Sequence, residues 1–263
     1  AWGPPYARGV RDSVIFKSVF AESNVVAVSF DLFGTLVDVT RPDDPAEAVA
    51  RELRARDVDV PEDWGEAYRE VHVDAPAGAE VPLPAHVARA LASRGVAAPG
   101  NAPRRAVVAA FDPDVTVRRG AIEAVAAASE HGPVAVCSNC SVPGLVRKTL
   151  VRAEMRDAFD VVVASAACGW RKPDERTFER VADGLGCEPS ALVHVGDSDA
   201  DAGVERVGGS FVDVRDVASA ELADVVAAFA ASTRGDGEDV DDAVDGDEEG
   251  GAAGGTDRTE GSR

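Results

Sequence analysis

The chain has 263 residues, of which 45% are hydrophobic, enough for one buried core with an inserted subdomain. Asp and Glu number 47 against 27 Lys and Arg, a formal net charge of -20 that argues against nucleic acid and anionic membranes as partners. No apolar stretch reaches the roughly 20 residues a bilayer-spanning helix needs, so the chain reads as soluble.

Lysine occurs only at Lys17, Lys148 and Lys172; every other basic residue except histidine is arginine. A lysine-poor, Asp-rich surface suits concentrated salt, where screening removes the self-repulsion of so much like charge. Four cysteines, Cys137, Cys140, Cys168 and Cys187, are too few and scattered for a disulfide scaffold, which suits a reducing interior. Composition therefore suggests a cytoplasmic protein of a halophile. Nothing in it speaks to oligomeric state.

In chain order, residues 1–24 carry Pro, Gly and Arg without an apolar run of signal-peptide length, and read as a flexible extension. The first strand, Val25 to Phe30, is a continuous apolar run of the kind found in buried parallel strands, and it delivers Asp31 into a Gly34-Thr35 turn. Ligands of open α/β sheets bind just outside the carboxyl ends of such strands. Residues 41–117 are too long for one crossover and read as helices Pro45 to Asp57, Trp64 to Val73, Pro84 to Gly95 and Asn101 to Ala110. Pro42, Pro61, Pro82 and Pro99 punctuate them. An insertion of this length leaving the Asp31 strand implies a helical cap over the site.

Beyond it, strands at Val134 to Cys137, Val161 to Ala164, Ala191 to Val195 and Ser210 to Val214 alternate with helical patterns. The helices fall at Ala121 to Glu130, Pro143 to Arg152, Asp174 to Leu185 and Asp199 to Val207. This alternation predicts an α/β fold, a doubly wound parallel sheet with right-handed connections. The core would comprise 25–40 and 118–232, with 233–263 as a disordered acidic tail whose Gly, Asp and Glu cannot bury enough apolar surface to order it. The CxxC of Cys137 and Cys140 ends an apolar run and lacks a second ligand pair, so it reads as packing. His194, inside a strand, reads as a satisfied core histidine, and Asp199 as exposed.

Four segments then stand out, each at or just after an apolar run: DLFGTLVD from Asp31 to Asp38, VCSNC with Ser138 and Asn139, GWRKPDERTF with Lys172, and HVGDSDAD with Asp197 and Asp201. In this order and spacing the chain resembles the haloacid dehalogenase-like hydrolase superfamily over about 25–217, with a Rossmann-like core. The resemblance implies that Asp31 is a nucleophile forming a covalent intermediate that water later hydrolyses. It implies magnesium held by Asp31, the carbonyl of Phe33, Asp197 and Asp201. Ser138 and Asn139 would bind the substrate, Lys172 would place a cation beside Asp31 and the transferring group, and Thr35 would shape the turn.

One position departs from the family's pattern. Its phosphatases carry a second aspartate two residues after the nucleophile, a general acid worth about 10²- to 10⁴-fold, and here that residue is Phe33. An aromatic there resembles the 2-haloacid dehalogenase branch, whose halide leaving group needs neither proton nor metal. The acidic pair of GDSDAD points instead to magnesium-dependent phosphotransfer, because two carboxylates beside Asp31 without a cation would repel one another. The expectation is a phosphatase acting on a small phosphorylated metabolite through an aspartyl phosphate, with two alternatives: a metal-independent dehalogenase, or a metal- and phosphate-binding protein with little turnover. His72 and His86, both in the insertion, are candidate replacement proton donors.

Overall fold

The computed structural model describes residues 26–234; the expected N-terminal extension and most of the expected acidic tail lie outside them. Among the described residues seven strands occur in chain order: β1 (Ala27–Phe30), β2 (Val37–Val39), β3 (Val115–Val117), β4 (Val134–Ser138), β5 (Val161–Ala164), β6 (Leu192–Gly196) and β7 (Ser210–Asp213). Five form one parallel sheet in the order β5-β4-β1-β6-β7. The fold is the α/β, Rossmann-like architecture expected from the alternating apolar runs.

β1 lies at the centre, paired Phe30↔Val136 on one side and Phe30↔Val195 on the other. The chain winds outward from it first through β4 and β5, then through β6 and β7, so the order reverses at β1. Asp31 therefore leaves the sheet at its topological switch point.

Period-two alternation divides the sheet into two packed faces. Val28, Phe30, Val134, Val136, Val193 and Val195 join the larger apolar cluster, against which α5 (Ala121–His131) and α9 (Leu222–Arg234) pack. Ala27, Ala135, Cys137 and Leu192 meet Phe178 and Val181 of α8 (Glu175–Leu185) on the opposite face. Small residues on that second face let α8 approach closely.

The insertion between β2 and β3 holds α1 (Pro45–Arg54), α2 (Trp64–Arg69), α3 (Leu83–Ser93) and α4 (Ala102–Ala110). Asp44 caps α1 by accepting from the Glu47 N–H at 3.0 Å, and Pro45 occupies the first turn, where its missing donor costs nothing. Trp64 Nε1 donates to the Ala46 carbonyl at 2.8 Å, tying α2 to α1. α6 (Leu145–Arg152) and the single turn α7 (Ser165–Cys168) complete the crossovers between β4 and α8.

Two features differ from the sequence reading. The segment read as a helix over Asp199 to Val207 is a 3-10 helix, Asp201–Val207, in which Gly203 lies against Pro173 too closely for a β-carbon. A narrower winding suits that short, tightly packed piece. The second is an antiparallel ribbon, β2 paired with β3 through Val37↔Val117, Asp38↔Thr116 and Val39↔Val115, by which the chain enters and leaves the insertion.

Candidate active site

Sheet register brings the four sequence segments to one edge. Because Phe30 is level with both Val136 and Val195, Ser138 and Asp197 each fall two residues past that level, flanking the turn that begins at Asp31. The Asp31 N–H donates to the Val195 carbonyl at 2.8 Å, fixing the strand end. A turn follows, with Leu36 and Val37 N–H both donating to the Leu32 carbonyl. Gly34 permits it at φ 93°. A β-carbon at Gly34 would collide with the Asp197 carboxylate, so glycine is required both by conformation and by the closeness of that acidic group.

Lys172 organises the site. Its Nζ donates to Asp31 Oδ1 at 2.8 Å, to the Cys137 carbonyl at 2.7 Å and to Asp201 Oδ1 at 2.5 Å, which uses all three ammonium protons. The residue is 3% exposed. Burial opposes its charge, yet the carboxylates of Asp31 and Asp201 prevail and hold its pKa above the ordinary lysine value. All three protons are thus directed at acceptors of this chain, and Lys172 orients and compensates Asp31.

Asp201 is likewise saturated. Oδ1 accepts from Lys172 and from His194 Nε2 at 3.0 Å; Oδ2 accepts from the Ser198 N–H at 3.0 Å and the Ser198 hydroxyl at 2.5 Å. A carboxylate offers about four acceptor positions, and all are filled by this chain. These bonds tie Asp201 to Lys172, His194 and the Ser198 turn. Its pKa lies below the usual carboxylate range: burial pushes upward, while His194 and Lys172 outweigh it. His194 is fully buried, donating from Nε2 to Asp201 and accepting from the Ser29 hydroxyl on Nδ1 at 2.7 Å. This is the satisfied core histidine read from the strand.

Asn139 is also committed. Its Oδ1 accepts from the Lys172 N–H at 2.8 Å and its Nδ2 donates to the Lys172 carbonyl at 2.9 Å, clamping the loop after β4 to the lysine's own backbone. Ser138 Oγ and Thr35 Oγ1 are buried and have no hydrogen-bond partner among the described residues. Buried hydroxyls without partners are uncommon and cost free energy until something fills the vacancy. Cys137 and Cys140 are buried free thiols, and burial pushes the Cys137 pKa up to about 12, so the packing reading of the CxxC holds.

Charge at the strand ends is unbalanced. Asp31, Asp197 and Asp201 face a single ammonium, and His194 is kept from protonating chiefly by burial. The Asp197 pKa is raised, first by burial and then by the Asp31 carboxylate. Among the described residues no three His, Cys, Asp or Glu side chains gather as a metal cluster by themselves. Two carboxylates with hard oxygens in a site of excess negative charge nevertheless fit a divalent cation whose remaining ligands are backbone, water and substrate.

Beside these groups lies a cleft of about 460 Å³ between the sheet edge and the insertion, walled by Phe33, Tyr68, Leu83, Phe111, Asn139 and others. His72 and His86 are not on its wall; each places Nε2 against a carbonyl of the insertion, Ala67 at 2.6 Å and Tyr68 at 2.7 Å. Sequence reasoning missed Ser29, Glu80 and Ser165 as supports of the site.

A family model described as haloacid dehalogenase-like hydrolase matches residues 25–204, and the chain belongs to that family. It is by that membership a hydrolase. A 2-haloacid dehalogenase from Pseudomonas syringae pv. Tomato DC3000 superposes with a TM-score of 0.54 at 17% identity, covering 78% of this chain and 99% of that one. CbbY from Rhodobacter sphaeroides in complex with phosphate gives a TM-score of 0.48 at 20% identity, covering 71% and 84%. A predicted phosphoglycolate phosphatase from Haemophilus somnus gives 0.46 at 16% identity, covering 73% and 86%. The first of these likenesses shows a shared fold; the reaction has to be read from the site. No match is found among curated proteins.

Proposed function

We propose that the chain is a magnesium-dependent phosphatase acting on a small phosphorylated compound, with Asp31 as nucleophile and 41–117 as its cap. The observation that carries this reading is the charge imbalance: three carboxylates, one saturated ammonium, and Asp197 lodged against Gly34 beside Asp31. Asp31, Asp197 and the Phe33 carbonyl would hold the cation, which when bound offsets negative charge on the phosphoryl group and its attacker.

Asp31 Oδ1 is fixed by Lys172, leaving Oδ2 to attack phosphorus; the bond from phosphorus to the leaving oxygen breaks and an aspartyl phosphate remains. Water then attacks the same phosphorus, releasing phosphate and restoring the carboxylate. The unpartnered hydroxyls of Ser138 and Thr35 are free to donate to phosphoryl oxygens. Lys172, bonded to Asp31, Asp201 and the Cys137 carbonyl, keeps the Asp31 carboxylate aimed.

The test is phosphate release from a panel of phosphorylated metabolites in high salt. Release is expected with magnesium and should vanish with EDTA and in Asp31→Asn. A second reading has one observation in its favour: Phe33, an apolar residue on the cleft wall, stands where an acid would serve phosphomonoesters. Chloride release from 2-chloropropionate, insensitive to EDTA, would select dehalogenation instead.

A further inference from the structure

The wall of the cleft has a chemistry of its own. Of the described residues that line it, Arg41 alone bears a formal charge, and none is Asp, Glu or His. Arg41 is exposed and makes no ion pair among the described residues. Most of the remaining wall is apolar, including Phe33, Leu83 and Phe111, and the phenol of Tyr68 is held even less acidic than usual by burial. Of the acids and imidazoles nearby, Asp38 pairs with Arg118, Asp44 accepts from the Glu47 N–H, Glu80 accepts from Ser141 and Ser165, Asp112 pairs with Lys148 and Arg152, and His72 and His86 bond carbonyls of the insertion.

A wall of this kind cannot hand a proton to a departing oxygen. An alkoxide, whose conjugate acid is about as weak as water, needs that proton as the bond to phosphorus breaks. A carboxylate or phenolate does not, because its conjugate acid is strong enough for the anion to leave unprotonated. The positive charge of Arg41 further favours a leaving group that departs as an anion, and the apolar wall favours one with a hydrophobic body.

Resting on the phosphatase reading, we propose that the cleft selects phosphoryl donors whose leaving oxygen departs as a stable anion on an apolar body, acyl and aryl phosphates rather than alkyl phosphates. In the step so selected, an Asp31 oxygen bonds to phosphorus and the phosphorus–oxygen bond to the acyl or aryl group breaks. Its electron pair leaves on the carboxylate or phenolate, and no proton is transferred. Hydrolysis of the aspartyl phosphate then takes one water, which supplies the oxygen of the released phosphate and gives its proton to solvent.

The experiment is a series in magnesium and high salt: substituted phenyl phosphates of decreasing phenol pKa, an acyl phosphate, and alkyl phosphates of similar size, each scored by kcat/KM. A steep rise with leaving-group acidity is expected, with alkyl phosphates at least about 100-fold below the best aryl or acyl donors. Phe33→Asp, which adds a carboxylic acid to the wall, should raise the alkyl phosphates selectively and flatten the series, whereas the isosteric Phe33→Asn should not. A flat series in the wild-type chain, with alkyl phosphates turned over as fast as aryl ones, overturns the inference and leaves the phosphatase reading standing. Absence of phosphate release from every member overturns both.

Discussion

Lys172 holds three acceptors at once, two of them buried carboxylates, and its replacement should be costly in two separable ways. Lys172→Met leaves Asp31 and Asp201 facing each other without a cation, which is expected to destabilise the fold by about 3–5 kcal/mol, read as a lower urea midpoint. Lys172→Arg keeps the charge but brings a planar fork to a site built for a compact ammonium. It should recover part of the stability and little of the hydrolysis. A Lys172→Arg enzyme with wild-type kcat would contradict the placement of Asp31 by this contact.

The same cluster sets a pH window. Lys172 titrates above its ordinary 10.5 in the folded chain, so its contribution is whole below that pH and fades only as the pH rises further. Asp201 titrates below its ordinary 3.8, so its contribution is present above that and is lost as the pH falls through its folded value. His194 works oppositely: burial lowers its pKa beneath 6.5, so the unfolded chain takes up a proton that the folded chain refuses. Stability should therefore be level from about pH 6.5 to about 9, decline on the acid side well before carboxylates protonate, and decline above about 9 as the unfolded chain gives up thiol protons that folded Cys137 and Cys187 retain. In His194→Gln the first acid shoulder should be missing from the urea midpoint plotted against pH. At this scale Asp31, Ser138, Lys172 and Asp197 were legible, because side-chain chemistry at the end of an apolar run leaves a mark in sequence. The Cys137 carbonyl and the saturation of Lys172, Asp201 and Asn139 were not, since a backbone acceptor has no residue type and spacing does not count lone pairs.

Among elements, the insertion is fastened to the core at a second place besides the β2 and β3 ribbon. Glu80, only 8% exposed, accepts from the hydroxyls of Ser141 at 2.8 Å and Ser165 at 2.5 Å, and Ser165 Oγ in turn accepts from the Cys140 N–H at 2.8 Å. Main-chain bonds from Glu80 N to the Gly169 carbonyl and from Arg171 N to the Gly78 carbonyl extend the attachment. Glu80→Ala would strand two hydroxyls in a buried place, at an expected cost of about 1–3 kcal/mol. Hydrogen exchange should accelerate over 74–82 more than in the sheet, and uniform acceleration would argue that the contact is not local. The four helices of the insertion were legible from proline punctuation and periodicity. The ribbon was not, because three-residue strands are too short to show alternation, and Glu80 looked like any other acid in so acidic a chain.

Taken whole, the molecule carries a formal net charge of -20, and its ion pairs between exposed side chains are individually weak. Self-repulsion of that size is relieved by screening, so thermal stability should climb as KCl is raised from millimolar to molar concentrations. For a domain of this length each gain of about 1 kcal/mol would appear as about 2–4 °C in Tm. A midpoint that falls or stays flat with salt would contradict a surface suited to concentrated electrolyte. Among the described residues no helix is long and apolar enough to cross a membrane.

The ribbon that carries both passages of the insertion begins one residue after the turn that follows Asp31, and it is geared to that turn. The Gly34 N–H bonds the Val37 carbonyl and the Arg118 N–H bonds the Leu36 carbonyl. Were the four helices to tilt, the strain would fall first on the peptide units that follow Asp31.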